Sequence, residues 1–224
     1  MIDRITIAKM AVELGVSSEV VLMEAYQMII LDGLASTSLS KNLIFKGGTC
    51  LRLAHQSFRF SEDLDFSMLR PVTFSNFRRG IEVIVNKYPE VKIGDIFNMK
   101  ETLFAKLIIS VIGKSVGIKI EVSKRKELWR RESDYKLRLL QSPATSLNPL
   151  IYSATLERIY SDKLNAVKNR KKPRDWFDLW FLSQKLNKKW RKIIPLSRKL
   201  MLDRVRFLLP KSKRLILEEF QYEN

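Results

Sequence analysis

The chain has 224 residues, of which 46% are hydrophobic and 29% are charged. These proportions are typical of a folded globular protein and exclude an intrinsically disordered chain. The single cysteine, Cys50, excludes an internal disulfide, and no run approaches the roughly 18 apolar residues that a membrane-spanning helix needs. The first ten residues contain no signal-type apolar block, so we expect a cytoplasmic protein with no membrane partner.

The net charge of +17 is unevenly distributed along the chain. Residues 1–120 contain 15 Lys and Arg against 12 Asp and Glu, a net charge of +3. Residues 121–224 contain 26 against 12, a net charge of +14. A basic C-terminal half beside a near-neutral N-terminal half indicates a polyanionic partner, such as a nucleic acid or a nucleotide. A generally basic composition without such a partner is the alternative.

Two helices are predicted at the start of the chain, at residues 5–14 and 18–35. Gly15 is suited to end the first, and Ser17 or Ser18 is suited to cap the second. The pair has the spacing of a helix-turn-helix. However, the second helix is largely apolar and has no Lys or Arg to reach bases, so we expect it to pack in the core.

The next stretch joins a short apolar strand at 43–45 to a Gly-Gly-Thr turn and a helix at about 49–57. Gly47 and Gly48 allow the main chain to approach a ligand closely. If a helix begins at Thr49, the N–H groups of its first turn form a seat for phosphate oxygens. A Gly-Gly-Thr sequence after a strand is common, and by itself it is weak evidence for a phosphate site.

A second strand, predicted at 63–67, contains Asp63 and Asp65. The i, i+2 spacing places both carboxylates on one face of the strand. Because two crowded carboxylates repel each other, the pair indicates a site for a divalent cation such as Mg²⁺. A solvated acidic face is the ordinary alternative. The order of strand, glycines, helix, strand and acid pair is what predicts nucleotide chemistry.

The remaining pattern predicts a mixed α/β (α+β) fold. A helix capped by Thr73 or Ser75 runs to about Lys87, and three strands follow between residues 91 and 123. The charged segment 124–138 predicts either a surface excursion or a strand pair. Residues 143–149 resemble a linker, after which the chain reads as helical. We therefore predict an α/β domain over residues 1–142 and a basic helical domain over residues 150–224.

A second group of charged residues lies in DKLNAVKNRKKPRDWFDLW. Pro173 suits the first position of a helix, and Asp175 near that position would interact favourably with the helix dipole. Arg174 and Asp178 could form an i, i+4 ion pair. Asp178 adjoins an apolar stripe, so we expect it at a buried edge, where it would need a cationic partner. Lys163 opens the same segment.

The segments FKGGTCLRL, RFSEDLDFS and DKLNAVKNRKKPRDWFDLW resemble the AbiEii/AbiGii-type nucleotidyltransferase toxins of bacterial and archaeal toxin–antitoxin and phage-defence systems. The resemblance extends from about residue 41 to residue 182. Each motif alone is weak, but their combination is specific. The resemblance implies a nucleotidyltransferase-like N-terminal domain with a mixed sheet, a C-terminal helical domain, and an active cleft between them.

The resemblance also implies a role for individual residues. The expected catalytic residues are Asp63, Asp65, Lys163 and Asp178, where Asp178 either orients Lys163 or assists proton removal. The expected nucleotide-binding residues are Lys46, Gly47, Gly48, Thr49, Ser61, Arg174 and Asp175. The expected metal ligands are Asp63 and Asp65, with Glu121 as a third carboxylate, although the family more often has Asp there. Cys50 replaces a small residue, a change that should be tolerated.

The expected activity is transfer of a nucleotide from an NTP to an acceptor, with Mg²⁺ or Mn²⁺ as cofactor and release of pyrophosphate. The resemblance favours the 3′ end of tRNA as the acceptor and implies a cognate antitoxin as a partner. A protein acceptor and a non-catalytic nucleotide- or RNA-binding module are the alternatives. The absence of a GxxxxGK[ST] sequence excludes a P-loop enzyme. His55, the only histidine, is expected to serve packing or lie on the surface.

Overall fold

A computed structural model of the chain describes residues 4–111, 114–190 and 193–222. The first two helices are α1 (Arg4–Leu14) and α2 (Ser18–Ala35). Gly15, with a φ angle of +62°, follows α1, and the Ser17 hydroxyl accepts a hydrogen bond from the Val20 N–H at the start of α2. Most of α2 is buried, which confirms that it packs in the core and does not present a base-reading face.

A seven-stranded mixed sheet forms the centre of the fold. In chain order its strands are β1 (Leu43–Lys46), β2 (Leu64–Met68), β3 (Val91–Asn98), β4 (Thr102–Val111), β5 (Lys114–Ser123), β6 (Tyr135–Leu139) and β7 (Leu150–Ala154). Their spatial order is β3-β4-β5-β2-β1-β7-β6. The β1–β7 and β2–β5 pairs are parallel and the other four are antiparallel. The sheet confirms the predicted mixed α/β class.

Helices cover one face of the β3–β4–β5 part of the sheet. Helix α3 (Gly47–His55) follows β1, and α4 (Phe74–Lys87) begins after Thr73, whose hydroxyl accepts the Asn76 N–H. Helices α2 and α4 pack against this part of the sheet. Every second side chain of β4 is therefore buried, and these residues are Leu103, Ala105, Leu107 and Ile109. The intervening side chains point to the opposite face.

The C-terminal part is mostly helical. It contains α5 (Leu156–Asn169), α6 (Pro173–Lys185), α7 (Arg198–Val205), 3₁₀ turns at Arg206–Leu208 and Lys211–Glu218, and a short parallel pair of strands, β8 (Ile193–Ile194) and β9 (Gln221–Tyr222). A further 3₁₀ turn lies at Ser38–Asn42. Among the described residues, no helix has the length and apolarity needed to span a bilayer.

The predicted start of helical structure at residue 150 is wrong. Residues 150–154 form β7, which lies between β1 and the edge strand β6, and Ser153 of β7 is opposite Phe45 of β1. The first C-terminal helix begins only at Leu156, after the N-cap Thr155. A five-residue strand between a linker-like loop and a helix is too short to show a clear period in the sequence. The division into two domains stays a prediction.

Helix α6 contributes residues to two of the three hydrophobic clusters that the described residues form. Phe181 and Leu182 belong to the large cluster built around the sheet. Trp176 and Phe177, one to two turns earlier, belong to a smaller cluster formed with the C-terminal residues Ile194, Met201, Leu209 and Leu217. The first turns of α6, which carry the RDxxD residues, are therefore held between the sheet and the C-terminal helices.

Candidate active site

The turn between β1 and α3 is shaped by side chains that approach its main chain. Gly47 has a φ of +80°, and a Cβ atom there would lie 2.3 Å from a carboxylate oxygen of Asp65. A Cβ atom on Gly48 would lie 2.5 Å from Nη2 of Arg59 and 2.7 Å from Oγ of Ser61. The positive φ and the close carboxylate favour glycine strongly at position 47, and a side chain at position 48 would have to displace the end of Arg59 and the Ser61 hydroxyl.

Thr49 connects this turn to the acid pair. Its side chain is buried, and its hydroxyl donates a hydrogen bond to the main-chain carbonyl of Asp63. The first turn of α3 contains no acidic residue, which suits an anion near its N–H groups. The Thr49 side chain thus helps to hold Asp63 beside the start of α3.

The acid pair lies at the beginning of β2. The strand starts at Leu64, so Asp63 precedes it and Asp65 lies within it. Asp65 is opposite Lys46 of β1 and Glu121 of β5. Burial and the charges of Asp63 and Glu121 raise the pKa of Asp65, Lys163 and Lys46 lower it, and the net result is a pKa of about 6. The three carboxylates are therefore neighbours that repel each other.

The carboxylates of this site fit a magnesium ion whose remaining coordination positions are filled by water and by the substrate. Within residues 4–111, 114–190 and 193–222, no three His, Cys, Asp or Glu side chains converge as a complete metal site. Mg²⁺ usually binds through one or two protein carboxylates and fills its remaining positions with water and substrate phosphates. Asp63 and Asp65 supply such a pair, and Glu121 lies beside it.

Lys163 of α5 lies between the two acids of α6. Its Nζ atom is 2.7 Å from Oδ1 of Asp175 and 2.6 Å from Oδ2 of Asp178. Asp175 also accepts a 2.7 Å hydrogen bond from Nε of Arg170. Burial disfavours the charged ammonium, yet Asp178 and Asp175 together raise the pKa of Lys163. The lysine is therefore a cation held in a fixed position.

Asp178 is fully paired. Nε and Nη2 of Arg59 donate to its two carboxylate oxygens at 2.8 and 2.9 Å, and only 2% of Arg59 and 1% of Asp178 is exposed. Burial raises the pKa of Asp178, but Arg59 and Lys163 outweigh it and hold that pKa at about 2. A carboxylate with so low a pKa is a weak base, and both of its oxygens already accept bonds from cations, so this geometry favours the orienting role for Asp178 over proton removal.

The predicted Arg174–Asp178 pair is wrong. Arg174 instead pairs with Glu62, and Asp178 takes its cationic partners from outside α6. The i, i+4 spacing is correct for a pair on a helix surface, but Asp178 faces inward. The expectation that a buried Asp178 needs a cation is confirmed. Its partner Arg59 was visible in RFSEDLDF but had no assigned role.

A cavity of about 240 Å³ brings the two groups together. Its lining contains Gly48, Arg59, Ser61, Asp63, Asp65, Lys119, Glu121, Lys163, Arg170, Lys172, Arg174 and Asp175. It shares Asp65, Glu121, Lys163 and Arg170 with a cavity of about 590 Å³ that also contacts Lys46 and Gly47. Thr49 and Asp178 lie behind the lining. Lys119, Arg170 and Lys172 were not predicted, although the last two belong to the basic run before Pro173.

Residues 29–219 match the family described as nucleotidyl transferase AbiEii toxin, type IV toxin–antitoxin system. The chain belongs to the AbiEii nucleotidyltransferase toxin family. The matched range includes both motif groups and the cavity between them. Membership confirms the suspected resemblance and shows that the protein is a nucleotidyltransferase enzyme of the toxin type. A type IV toxin–antitoxin family implies an NTP substrate and an antitoxin.

Solved structures share the fold. One is MenT4, a nucleotidyltransferase toxin from Mycobacterium tuberculosis H37Rv. The two sequences are 18% identical and the TM-score is 0.62, with an alignment that spans 97% of this chain and 74% of the MenT4 chain. Another is JHP933 from Helicobacter pylori. The two sequences are 24% identical and the TM-score is 0.56, with an alignment that spans 75% of this chain and 68% of the JHP933 chain. At these identities the likeness shows the fold alone. No curated protein matches the chain.

Proposed function

We propose that this toxin transfers a nucleotidyl group from an NTP to the 3′ end of an RNA acceptor, with tRNA as the preferred class. The acceptor hydroxyl oxygen forms a bond to the α-phosphorus, the bond from that phosphorus to the bridging oxygen breaks, and pyrophosphate leaves as the hydroxyl loses its proton. The observation that carries the proposal is the shared cavity, in which an acid pair faces a fixed lysine and several further cations.

The sheet side of the cavity would bind the phosphates. Main-chain N–H groups at Gly47, Gly48 and Thr49 suit phosphate oxygens. Asp63 and Asp65 would hold Mg²⁺ or Mn²⁺, with Glu121 beside them, and the ion would supply charge neutralisation on the phosphates.

The helical side of the cavity would stabilise the charge that develops on the phosphates. Lys163 is held by Asp175 and Asp178, so its ammonium is oriented before the substrate arrives. Fixed donors of this kind stabilise a transition state without having to reorganise during the reaction. Arg174, paired with Glu62 at the cavity lining, would add a second cation.

The charge distribution supports an RNA acceptor. Residues 121–224 have a net charge of +14, and Lys and Arg provide most of the contacts that proteins make to a phosphate backbone. The proposal therefore places the body of the RNA against the C-terminal half, with its 3′ end in the cavity.

Incubation of the purified protein with total RNA and each α-³²P-labelled NTP tests this function. We expect label to enter RNA from one or a subset of the NTPs, in a reaction that EDTA stops and Mg²⁺ restores. Mapping the labelled species by sequencing their 3′ ends would identify the acceptor. Label that enters only protein, or no label at all with a protein shown to be folded, would overturn the proposal.

Lys163→Ala is the matched test of the helical side. We expect turnover to fall roughly 10²- to 10³-fold, as for loss of one preorganised transition-state donor. Because the substitution leaves two buried acids without their shared cation, folding must be measured in parallel by thermal melting. Lys168→Ala, an exposed lysine on the same helix, is the control and should have wild-type turnover. A folded Lys163→Ala protein with wild-type turnover would contradict the assigned role.

A further inference from the structure

One cross-strand row of side chains runs from the active site to the edge of the sheet. Asp65 of β2 is opposite Glu121 of β5, Glu121 is opposite Phe104 of β4, and Phe104 is opposite Phe97 of β3. Residues directly opposite each other in neighbouring strands project from the same face. The two phenylalanines therefore share the face on which the acid pair opens into the cavity.

Phe97 and Phe104 form an aromatic surface on this face. Their ring centroids are 6.0 Å apart with an interplanar angle of 19°, so the rings are stacked. Phe97 is 49% exposed, and Phe104 is partly exposed. The other face of these strands packs against α2 and α4, which leaves the stacked pair outside the hydrophobic core. Three strand spacings place Phe97 roughly 14 Å from Asp65.

Three cations lie on or next to the same face, among them Arg125, which is 3.9 Å from Glu101. Lys106 of β4 lies two residues from Phe104 and opposite Lys119 of β5, and its Cε atom would lie 3.1 Å from a Cβ built on Gly117. Lys119 lines the smaller cavity. Arg125, just beyond the end of β5, lines the larger cavity together with Thr102 at the start of β4. The larger cavity thus extends from Asp65 towards the β3–β4 turn.

We propose that the Phe97–Phe104 face is the subsite for the unpaired terminal nucleotides of the acceptor RNA. Bases stack on the two rings while the phosphates lie against Lys106, Lys119 and Arg125, which directs the terminal hydroxyl along the row towards Asp65. Aromatic rings combined with a basic groove are the usual means of holding single-stranded nucleic acid without reading its sequence. The inference rests on the proposed function and adds the site at which that acceptor is held.

The double variant Phe97→Ala/Phe104→Ala tests the subsite with a short hairpin RNA that has a four-nucleotide 3′ overhang and 2-aminopurine at the second overhang position. Wild-type protein should quench the 2-aminopurine fluorescence through stacking, and the double variant should not. We expect the KM for the hairpin to rise roughly 5- to 150-fold, the loss associated with one stacked base. The KM for the NTP and kcat at saturating RNA should stay close to wild type.

Val83→Ala is the control, because Val83 is 43% exposed on α4, the helix that packs on the opposite face of the sheet. Phe97→Trp should preserve the quenching and the KM, since indole also stacks on bases. Far-UV circular dichroism checks that each variant is folded, and the exposed Phe97→Ala single variant provides a second test if the double variant is unstable.

The outcomes separate the two proposals. If wild-type protein labels RNA and the double variant has an unchanged KM and unchanged quenching, the subsite is wrong while the proposed function stands. If size-exclusion chromatography shows that the double variant changes oligomeric state while RNA affinity is unchanged, the face is an interface between copies of the chain, and the subsite is again wrong. If wild-type protein labels only protein, the proposed function fails first and the subsite fails with it.

Discussion

The two sides of the cavity contain two aspartate pairs with opposite electrostatic environments. On the sheet side, Asp65 lies beside Asp63 and Glu121, and burial with this repulsion raises the pKa of Asp65 to about 6. On the helical side, Asp178 is bound by Arg59 and Lys163, and its pKa is held at about 2. Asp63 and Asp65, at i, i+2, therefore repel each other, whereas Asp175 and Asp178, at i, i+3, are paired with cations of the chain.

The comparison shows which charges are available to a ligand. The helical acids are already neutralised by cations of the chain, so their contribution is to hold Lys163 in place. The sheet acids repel each other, and an external cation would relieve that repulsion. This difference predicts that changes to the Arg59–Asp178 pair of the helical side mainly change stability, whereas changes to the acids of the sheet side mainly change activity.

The largest effect on stability is expected from Arg59→Met. It leaves Asp178 buried with only Lys163 as a partner, and loss of one member of a buried ion pair typically costs about 3–5 kcal/mol. Urea unfolding would measure the change. The double variant Arg59→Met/Asp178→Leu should regain part of the loss, because it removes both charges.

Arg78→Met provides the control for that measurement. Arg78 pairs with Glu82 at 3.0 Å on the exposed surface of α4, and an exposed i, i+4 pair contributes only about 0.3–0.5 kcal/mol. Equal losses for Arg59→Met and Arg78→Met would contradict the view that Arg59 is an internal support of the helical side.

Asp65→Asn, unlike Arg59→Met, should lower activity and leave stability unchanged or higher. The amide has nearly the same volume but cannot supply the negative charge that a metal ion requires, so turnover should fall by at least roughly 10²-fold. The thermal melting temperature in metal-free buffer should be unchanged or higher, because repulsion with Asp63 and Glu121 is removed. Asp203→Asn, an exposed change on α7, is the control. Wild-type turnover in Asp65→Asn would refute the metal assignment.

The buried side chain of His55 predicts how the stability of the protein depends on pH. Burial lowers the pKa of His55 to about 4, despite the 2.8 Å hydrogen bond between Nε2 and the Ala154 carbonyl. Above pH 6.5 both folded and unfolded chains contain neutral histidine. As pH falls from 6.5 to 4 the unfolded chain gains a proton that the folded chain rejects, so stability should fall by about 3 kcal/mol.

Urea unfolding at pH 7 and pH 4.5 would measure this effect. In His55→Gln the part of the pH dependence that belongs to the histidine should disappear, leaving only the contribution of the acidic groups. An identical pH dependence in the two proteins would show that folding leaves the pKa of His55 unchanged, which would contradict the lowered value.

The smallest effect is expected from Thr49→Val. The substitution keeps the shape of the buried side chain but removes the hydrogen bond to the Asp63 carbonyl, which should cost about 1 kcal/mol. Because this bond holds the main chain of Asp63, turnover should fall by a smaller factor than in Asp65→Asn. The ratio of the two activities, measured in one nucleotide-transfer assay, tests whether Thr49 supports the acid pair or binds substrate directly.

Much of the local structure was predictable. The limits of α2, the Ser17 and Thr73 caps, Pro173 at the first position of α6 and the three strands between 91 and 123 all follow from local patterns. The need of Asp178 for a cation was also predictable, because it depends on the apolar residues around it, whereas the sequence left open whether His55 is buried. By contrast, β7 was not predicted, because a five-residue strand is too short to show a clear alternation of apolar and polar residues.

The sequence by itself determined the residue types that nucleotide transfer requires, and it determined the uneven charge, since both are properties of composition and spacing. Tertiary structure alone decided which charges meet. Arg59 and Asp178 are 119 positions apart, and only the packing of α6 against the sheet makes them an ion pair. The row from Asp65 to Phe97 likewise depends on strand register, because one residue of slip would move every side chain to the other face.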